Sequence, residues 1–304
     1  MSVEPEQRKK EAGRKMGAIK DYNCRYTNSV GIHEEIIKKL DLKFPDAYKN
    51  CATMAAIALE RKAYEGTDYC MLPFCHTVEG EAFGGHINYG NGKIGPRGAE
   101  YKCSTMEEVL KLPEIDYQNG RIFEVLKACK ELREQGENVI LAISGPFTIL
   151  NILIDPRHVF KVMKKNPDLR KQIFHKLEKE LLTFLEKGIT YGANIISYAD
   201  STGSLGILGP NLAEIVVEEF TYPFLKKAEK LPNGKAIIHL CPKTTFSLIG
   251  TKHACYEPVP VKKDSQYVSA CIDAIGSAVF AGQMCIQNIE FCTKNQMLQS
   301  IKII

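Results

Sequence analysis

His239-Leu240-Cys241 places an imidazole and a thiol two residues apart at the end of an apolar run. In a strand, residues i and i+2 face the same side, so the two groups address one point. Two readings are open. The pair supplies two of the three protein ligands of a Cys₂His zinc site whose fourth position is left for substrate, or it is a core histidine beside a buried thiol. Cys285 ends a later apolar run and could supply the third ligand. Asp200 follows the run ANIISYA and precedes Ser-Thr-Gly. Its carboxylate either meets substrate or a ligand, or caps the next turn. Glu79 reads as an acid stabilised at a helix N-terminus. Cys75 and His76 are adjacent and would point apart in an extended chain.

These groups need elements to hold them. Short apolar runs ended by turn residues predict buried parallel strands at 67–74, 138–145, 193–200, 235–241 and 277–284. Helical periodicity predicts helices over 44–65, 121–135 and 169–187, the last ended by Gly188. A further helix over 212–230 should bend or break near Pro223. Strand and helix alternation means an α/β fold with a parallel sheet. Each candidate group then falls at the C-terminal end of a strand, the end that forms the active-site face of a parallel α/β barrel. One domain is expected over 44–304, preceded by a helical and irregular segment over 1–43. Gly203, Gly206 and Gly209 lack the spacing of a dinucleotide-binding loop.

The chain has 304 residues, 44% hydrophobic and 25% charged, which excludes a disordered or collagen-like protein. A net charge of +4 from 40 basic and 36 acidic residues is too small to imply nucleic acid. Arg8, Lys9, Lys10, Arg14 and Lys15 read as part of a solvated amphipathic segment. The apolar stretch 139–154 is interrupted by Ser144, Gly145, Pro146, Thr148 and Asn151, whereas a membrane span needs about 20 mostly apolar residues. The start of the chain is charged where a signal peptide would be apolar, so a cytoplasmic protein with no membrane partner is expected. In that compartment the eleven cysteines are not expected to be paired as disulfides. Cys24, Cys51, Cys70, Cys103 and Cys129 read as small apolar packing groups. Cys255, Cys271 and Cys292 have no compelling partner by spacing.

Several stretches together resemble the uroporphyrinogen decarboxylase superfamily, in its zinc-dependent cobamide methyltransferase branch. They are FPDAYKNCATMAAIALE (44–60), MLPFCHTVEGEAFGG (71–85), SGPFTI (144–149), the block 198–228 beginning YADSTG, IIHLC (237–241) and AGQMC (281–285). The resemblance implies a (β/α)₈ TIM barrel. It implies zinc held by His239, Cys241 and Cys285, with Cys292 as the fallback for the third ligand, and Asp200 aligned to the family's active-site aspartate. The implied reaction moves a methyl group between a corrinoid, methylcobalamin as co-substrate, and a thiol such as coenzyme M, as in methanogenesis and one-carbon metabolism. A small separate corrinoid protein is the implied partner, together with a small-molecule thiol or methyl donor.

Three alternatives accompany this reading. A corrinoid-dependent demethylase would take methyl from a methoxylated or methylamine donor. A uroporphyrinogen decarboxylase fits less well, since its arginine-rich N-terminal substrate motif has no counterpart. A shortened, non-catalytic homologue would bind a corrinoid protein without turnover. The last is motivated by the separation of Cys241 from Cys285, which is shorter than the branch leads one to expect. The barrel is therefore expected to be shortened near its last strands, around CYEPVPVKKD (255–264) and the end of the chain.

Overall fold

The apolar runs of the sequence become strands that neighbours cover on both faces. The computed structural model describes residues 21–24 and 31–304; the basic residues between 8 and 15 lie outside them. The strands are β1 (Tyr69–Leu72), β2 (Ile87–Asn88), β3 (Arg97–Gly98), β4 (Asn138–Ser144), β5 (Ile195–Ala199), β6 (Ile237–Leu240), β7 (Ala254–Pro260), β8 (Phe280–Ala281) and β9 (Met297–Ile303). β2 and β3 form a small antiparallel pair of their own, and the other seven make one sheet in the order β1-β4-β5-β6-β8-β9-β7. The first five of these neighbours run parallel. All five predicted strands are present, and their C-terminal ends lie along one edge.

The period of two along each strand divides the core. Leu72, Leu141, Ile143, Ile196, Tyr198 and Leu240 pack under the large helices. Tyr69, Ile140, Ile195, Ile237 and Ala281 face the other way and join a second cluster with Tyr267, Val268 and Cys271. Each fully buried aliphatic side chain of this kind stabilises the fold by about 1.5–3 kcal/mol relative to exposure. Burial on both faces explains why the runs lack a polar alternation.

The expected shortening has a specific form. β9 pairs antiparallel with β8 at Ala281 and Ser300 and with the whole of β7. The expected remnant around 255–264 is thus an antiparallel arm, β7, over its first part. Among the described residues β1 has β4 as its single neighbour in the sheet, so the seven strands are not closed into a ring by hydrogen bonds. The helix Tyr267–Asp273 spans the second face instead. The Tyr267 hydroxyl accepts from the Gln283 amide beyond β8 at 3.0 Å, and Ser269 donates to Asp68, just before β1, at 2.9 Å.

Two helical expectations are refined. The segment 212–230 is a helix Pro210–Val216, a π-helical turn Val217–Thr221 and a helix Tyr222–Ala228. Pro223 cannot donate to the carbonyl four residues back and its ring crowds it. The widened turn ahead of Pro223 absorbs that clash without a break. Gly188 does not end its helix, which runs Pro167–Thr190. The stop comes at Gly192, whose φ is +97°. Gly188 is instead a point of close approach between helix and sheet. A Cβ there would lie 2.4 Å from Leu141 Cδ2 and 3.0 Å from Ile196 Cδ1. Gly188→Ala should therefore lower stability by about 1–3 kcal/mol, read as a fall in the urea midpoint with an unchanged slope.

Candidate functional site at the strand ends

His239 lies in register with Ser197 on β5 and Ala281 on β8. Its ring is buried, with 1% exposure, and both nitrogens are engaged. Nδ1 is 3.1 Å from Ser197 Oγ and Nε2 is 2.9 Å from the Met284 carbonyl. A carbonyl can accept but not donate, so Nε2 carries the proton and Nδ1 accepts from the serine hydroxyl. Burial lowers the pKa to about 4, which keeps the ring neutral near pH 7. Tyr267 meets the ring edge-on at 5.9 Å.

Cys241 follows β6 and is the N-cap residue of the helix Pro242–Gly250. Its sulfur accepts the backbone N–H of Lys243 and interacts electrostatically with Cys285. Cys285 repeats the arrangement, accepting the backbone N–H of Gln287. Burial pushes the two thiols up, to about 12 for Cys241 and about 11 for Cys285. Amide donors two residues on and a helix N-terminus are features that favour a thiolate, while burial without a cation favours the thiol. The pair therefore suits a soft cation more than solvent. Cys292 is exposed, with its Sγ 3.9 Å from the Glu290 carbonyl. The structure thus gathers His239, Cys241 and Cys285 at neighbouring strand ends and leaves Cys292 at the surface. Among the described residues no three His, Cys, Asp or Glu side chains converge on one metal position. A metal would require the His239 ring to give up one of its two hydrogen bonds.

Asp200 is buried, and its carboxylate caps the helix Pro146–Leu153 after β4. It accepts from the amides of Phe147 at 3.1 Å and Thr148 at 2.8 Å, and from the Thr148 hydroxyl at 2.8 Å. These bonds cap a helix across the sheet, and the Gly203 amide in the turn that follows also favours the carboxylate. Gly145 and Gly203 make room for it, since a Cβ at either would lie 2.3 Å from an Asp200 atom. Burial raises its pKa and the hydrogen bonds oppose the rise.

Glu79 makes a second cross-sheet tie. It accepts from the Ser144 amide at 2.6 Å and hydroxyl at 3.0 Å, joining the segment after β1 to the end of β4. Its helix, Val78–Ala82, is five residues long, so the Ser144 bonds fix it more than a helix dipole does.

Cys75 and His76 do not diverge as an extended chain would make them. The strand stops at Leu72, the chain bends, and both line a cavity of about 480 Å³. Tyr69, Met71, Ala142, Arg61 and Gln287 line it too. Cys75 Sγ is 3.2 Å from Thr77 Oγ1 and accepts from the Arg121 guanidinium at 3.3 Å. Cys70, Cys103 and Cys129 are packing residues in the helix-side core. Cys24 is not one. It lies within electrostatic reach of both Cys285 and Cys241. Nothing in its local sequence signals that contact. Ser197 was equally unmarked, although strand register with His239 would have exposed it.

Asp200→Ala should lower stability by about 1–3 kcal/mol in chemical unfolding, because three donors lose their acceptor. A carboxylate serving substrate alone would leave the unfolding midpoint in place. His76 makes a pH-dependent contribution. Burial lowers its pKa to about 4 from 6.5, so between these values the unfolded chain binds more protons. Stability should fall as pH drops from 6.5 toward 4, and His76→Asn should flatten that part of the melting-temperature profile.

Comparison with known proteins places this geometry. The uroporphyrinogen decarboxylase (URO-D) family model matches residues 29–261. The chain is 27% identical over 232 residues to the methylcobamide:CoM methyltransferase MtaA of Methanosarcina barkeri, a match covering 75% of this chain and 67% of that protein. It is 26% identical over 211 residues to MtbA of Methanosarcina mazei, also a methylcobamide:CoM methyltransferase, covering 67% of this chain and 61% of the relative. The chain therefore spans about two thirds of the length of these relatives. A solved methyltransferase from Methanosarcina mazei superposes with a TM-score of 0.59 at 24% identity, over 71% of this chain and 65% of that one, a likeness of fold. No helix among the described residues is long and apolar enough to cross a membrane. With a family match over most of its length and a parallel α/β sheet of the barrel type, the chain belongs to the uroporphyrinogen decarboxylase family.

Proposed function

We propose that this protein is a methyltransferase that moves a methyl group between a corrinoid and a small thiol such as coenzyme M. The observation that carries the reading is the pairing of Cys241 and Cys285 beside His239 at the strand ends, in a chain whose relatives are named methylcobamide:CoM methyltransferases. In this reading Cys241, Cys285 and His239 hold zinc. Zinc bound there would favour loss of the substrate thiol's proton, making the sulfur a nucleophile at neutral pH.

The rest of the work belongs to the chain. The amides of Lys243 and Gln287 support negative charge on the two cysteine sulfurs. For Nε2 to hold a metal in place of the Met284 carbonyl, the ring proton would have to move to Nδ1, where Ser197 Oγ would accept it and hold the ring in that tautomer. Asp200 and Glu79 keep the ends of β4 and β5 and the segment after β1 in place. The corrinoid arrives from outside this fold, on a small corrinoid protein docked over the strand ends. Demethylation of a methoxylated or methylamine donor would use the same site in the other direction. A binding-only homologue is the second reading, favoured by the two satisfied nitrogens of His239.

Incubation with methylcobalamin and coenzyme M, followed by cobalamin absorbance, tests the proposal. Methylcobalamin should be consumed in a zinc-dependent way, and His239→Ala should slow this by more than about tenfold. Unchanged zinc content and rate in His239→Ala would show the site to be wrong. A folded protein that takes up no zinc would favour the binding-only reading.

A further inference from the structure

Residues 21–24 lie across the mouth formed by the strand ends, and three contacts hold them there. Asp21 Oδ2 accepts the Gly206 amide at 3.1 Å, beyond β5. The Tyr22 ring meets Phe246, in the helix after β6, edge-on at 6.0 Å. The Tyr22 hydroxyl donates to Met284 Sδ, beyond β8, at 3.5 Å. This strap carries Cys24 toward Cys285: Tyr22, two residues before Cys24, bonds to Met284, the residue before Cys285, and the two thiols lie within electrostatic reach of each other. Cys24 is partly exposed while Cys285 is buried, so Cys24 is the member of the pair that a small solute meets first.

We infer that Cys24 and Cys285 are a redox pair that closes to a disulfide under a hydroperoxide oxidant and locks the strap over the mouth. The Cys24 sulfur attacks the peroxide oxygen, the O–O bond breaks, and a sulfenic acid and water form. The Cys285 sulfur then attacks the sulfenic sulfur and a second water leaves. Two thiols and one hydrogen peroxide give one disulfide and two waters; the sulfurs are oxidised and the peroxide reduced. A dithiol reductant reverses the step by exchange. Resting on the reading above, the disulfide also withdraws Cys285 from the metal, since the same sulfur cannot serve both.

Peptide mapping of the full-length protein treated with hydrogen peroxide tests this. Cleavage after Lys and Arg yields a fragment 21–25 containing Cys24 and a fragment 264–294 containing Cys271, Cys285 and Cys292. A disulfide-linked pair of these fragments should appear and should vanish on reduction. It should be absent in Cys24→Ser and Cys285→Ser and persist in Cys271→Ser and Cys292→Ser. A link to Cys241 or Cys292, or none in the folded wild type, would overturn the inference. Zinc content, measured separately, should fall on oxidation of the wild type and stay constant in Cys24→Ser. If the reduced protein holds no zinc, the methyltransferase reading fails while the mapping still decides the pair. If the link forms in zinc-loaded protein and zinc is retained, the withdrawal of Cys285 is wrong.

Discussion

A single buried imidazole joins the two parts of the site. His239 takes a hydrogen bond from Ser197 on β5 and gives one to the carbonyl of Met284, the residue before Cys285. β8 is two residues long, too short to aim the segment beyond it by sheet pairing alone. The bond to His239 anchors that segment to β6, and Cys285 is thereby brought within reach of Cys241. The ring must be neutral with its proton on Nε2 for this to work, and burial supplies the neutrality. The tie and the proposed metal compete for the same nitrogen. In this arrangement a satisfied core histidine does the work of positioning.

The acids of the site are spent in a similar way. Asp200 and Glu79 are buried, and a buried carboxylate without donors would be costly. Asp200 receives backbone and side-chain donors from the helix after β4, and Glu79 receives those of Ser144. Each therefore fixes one strand end relative to another. In a methyl transfer between a corrinoid and a thiol the proton to be managed is that of the thiol, so a scaffold role for these acids is consistent with the chemistry. A decarboxylase acting on a substrate with several carboxylates would need exposed cationic groups at the mouth. Arg121 is buried and turned toward Cys75, Thr77 and Glu81.

Five strands and the main helices were legible because their signals are local: an apolar run, a period, a glycine or proline stop. The His-x-Cys pair was legible because strand period alone puts both side chains on one side. Three features were not, and each is set by distant chain. The partner of Asp200 depends on how the helix after β4 approaches β5, which the Ser-Thr-Gly that follows Asp200 does not encode. Gly188 has the local look of a helix end, yet its purpose is the contact with Leu141 and Ile196. Cys24 looked like a packing residue, and its place near Cys285 comes from contacts of Asp21 and Tyr22 with segments 185 and 262 residues away that no period records.

The shortened end of the sheet bears on how a site of this kind can be held at all. In a complete barrel, strands facing one another across the lumen bury each other's inward side chains. Here Tyr69, Ile140, Ile195 and Ile237 would be left facing water without a substitute. The helix Tyr267–Asp273 and the β7–β9 arm provide it, through Tyr267, Val268, Cys271, Val259 and Leu298. The substitution preserves the burial of the inner face but leaves β1 without a second strand neighbour. Beside that edge, along β1 and the loop after Cys285, lies the cavity of about 480 Å³. Its lining includes Gln287, two residues beyond Cys285, and Tyr69, which lies within electrostatic reach of Cys285.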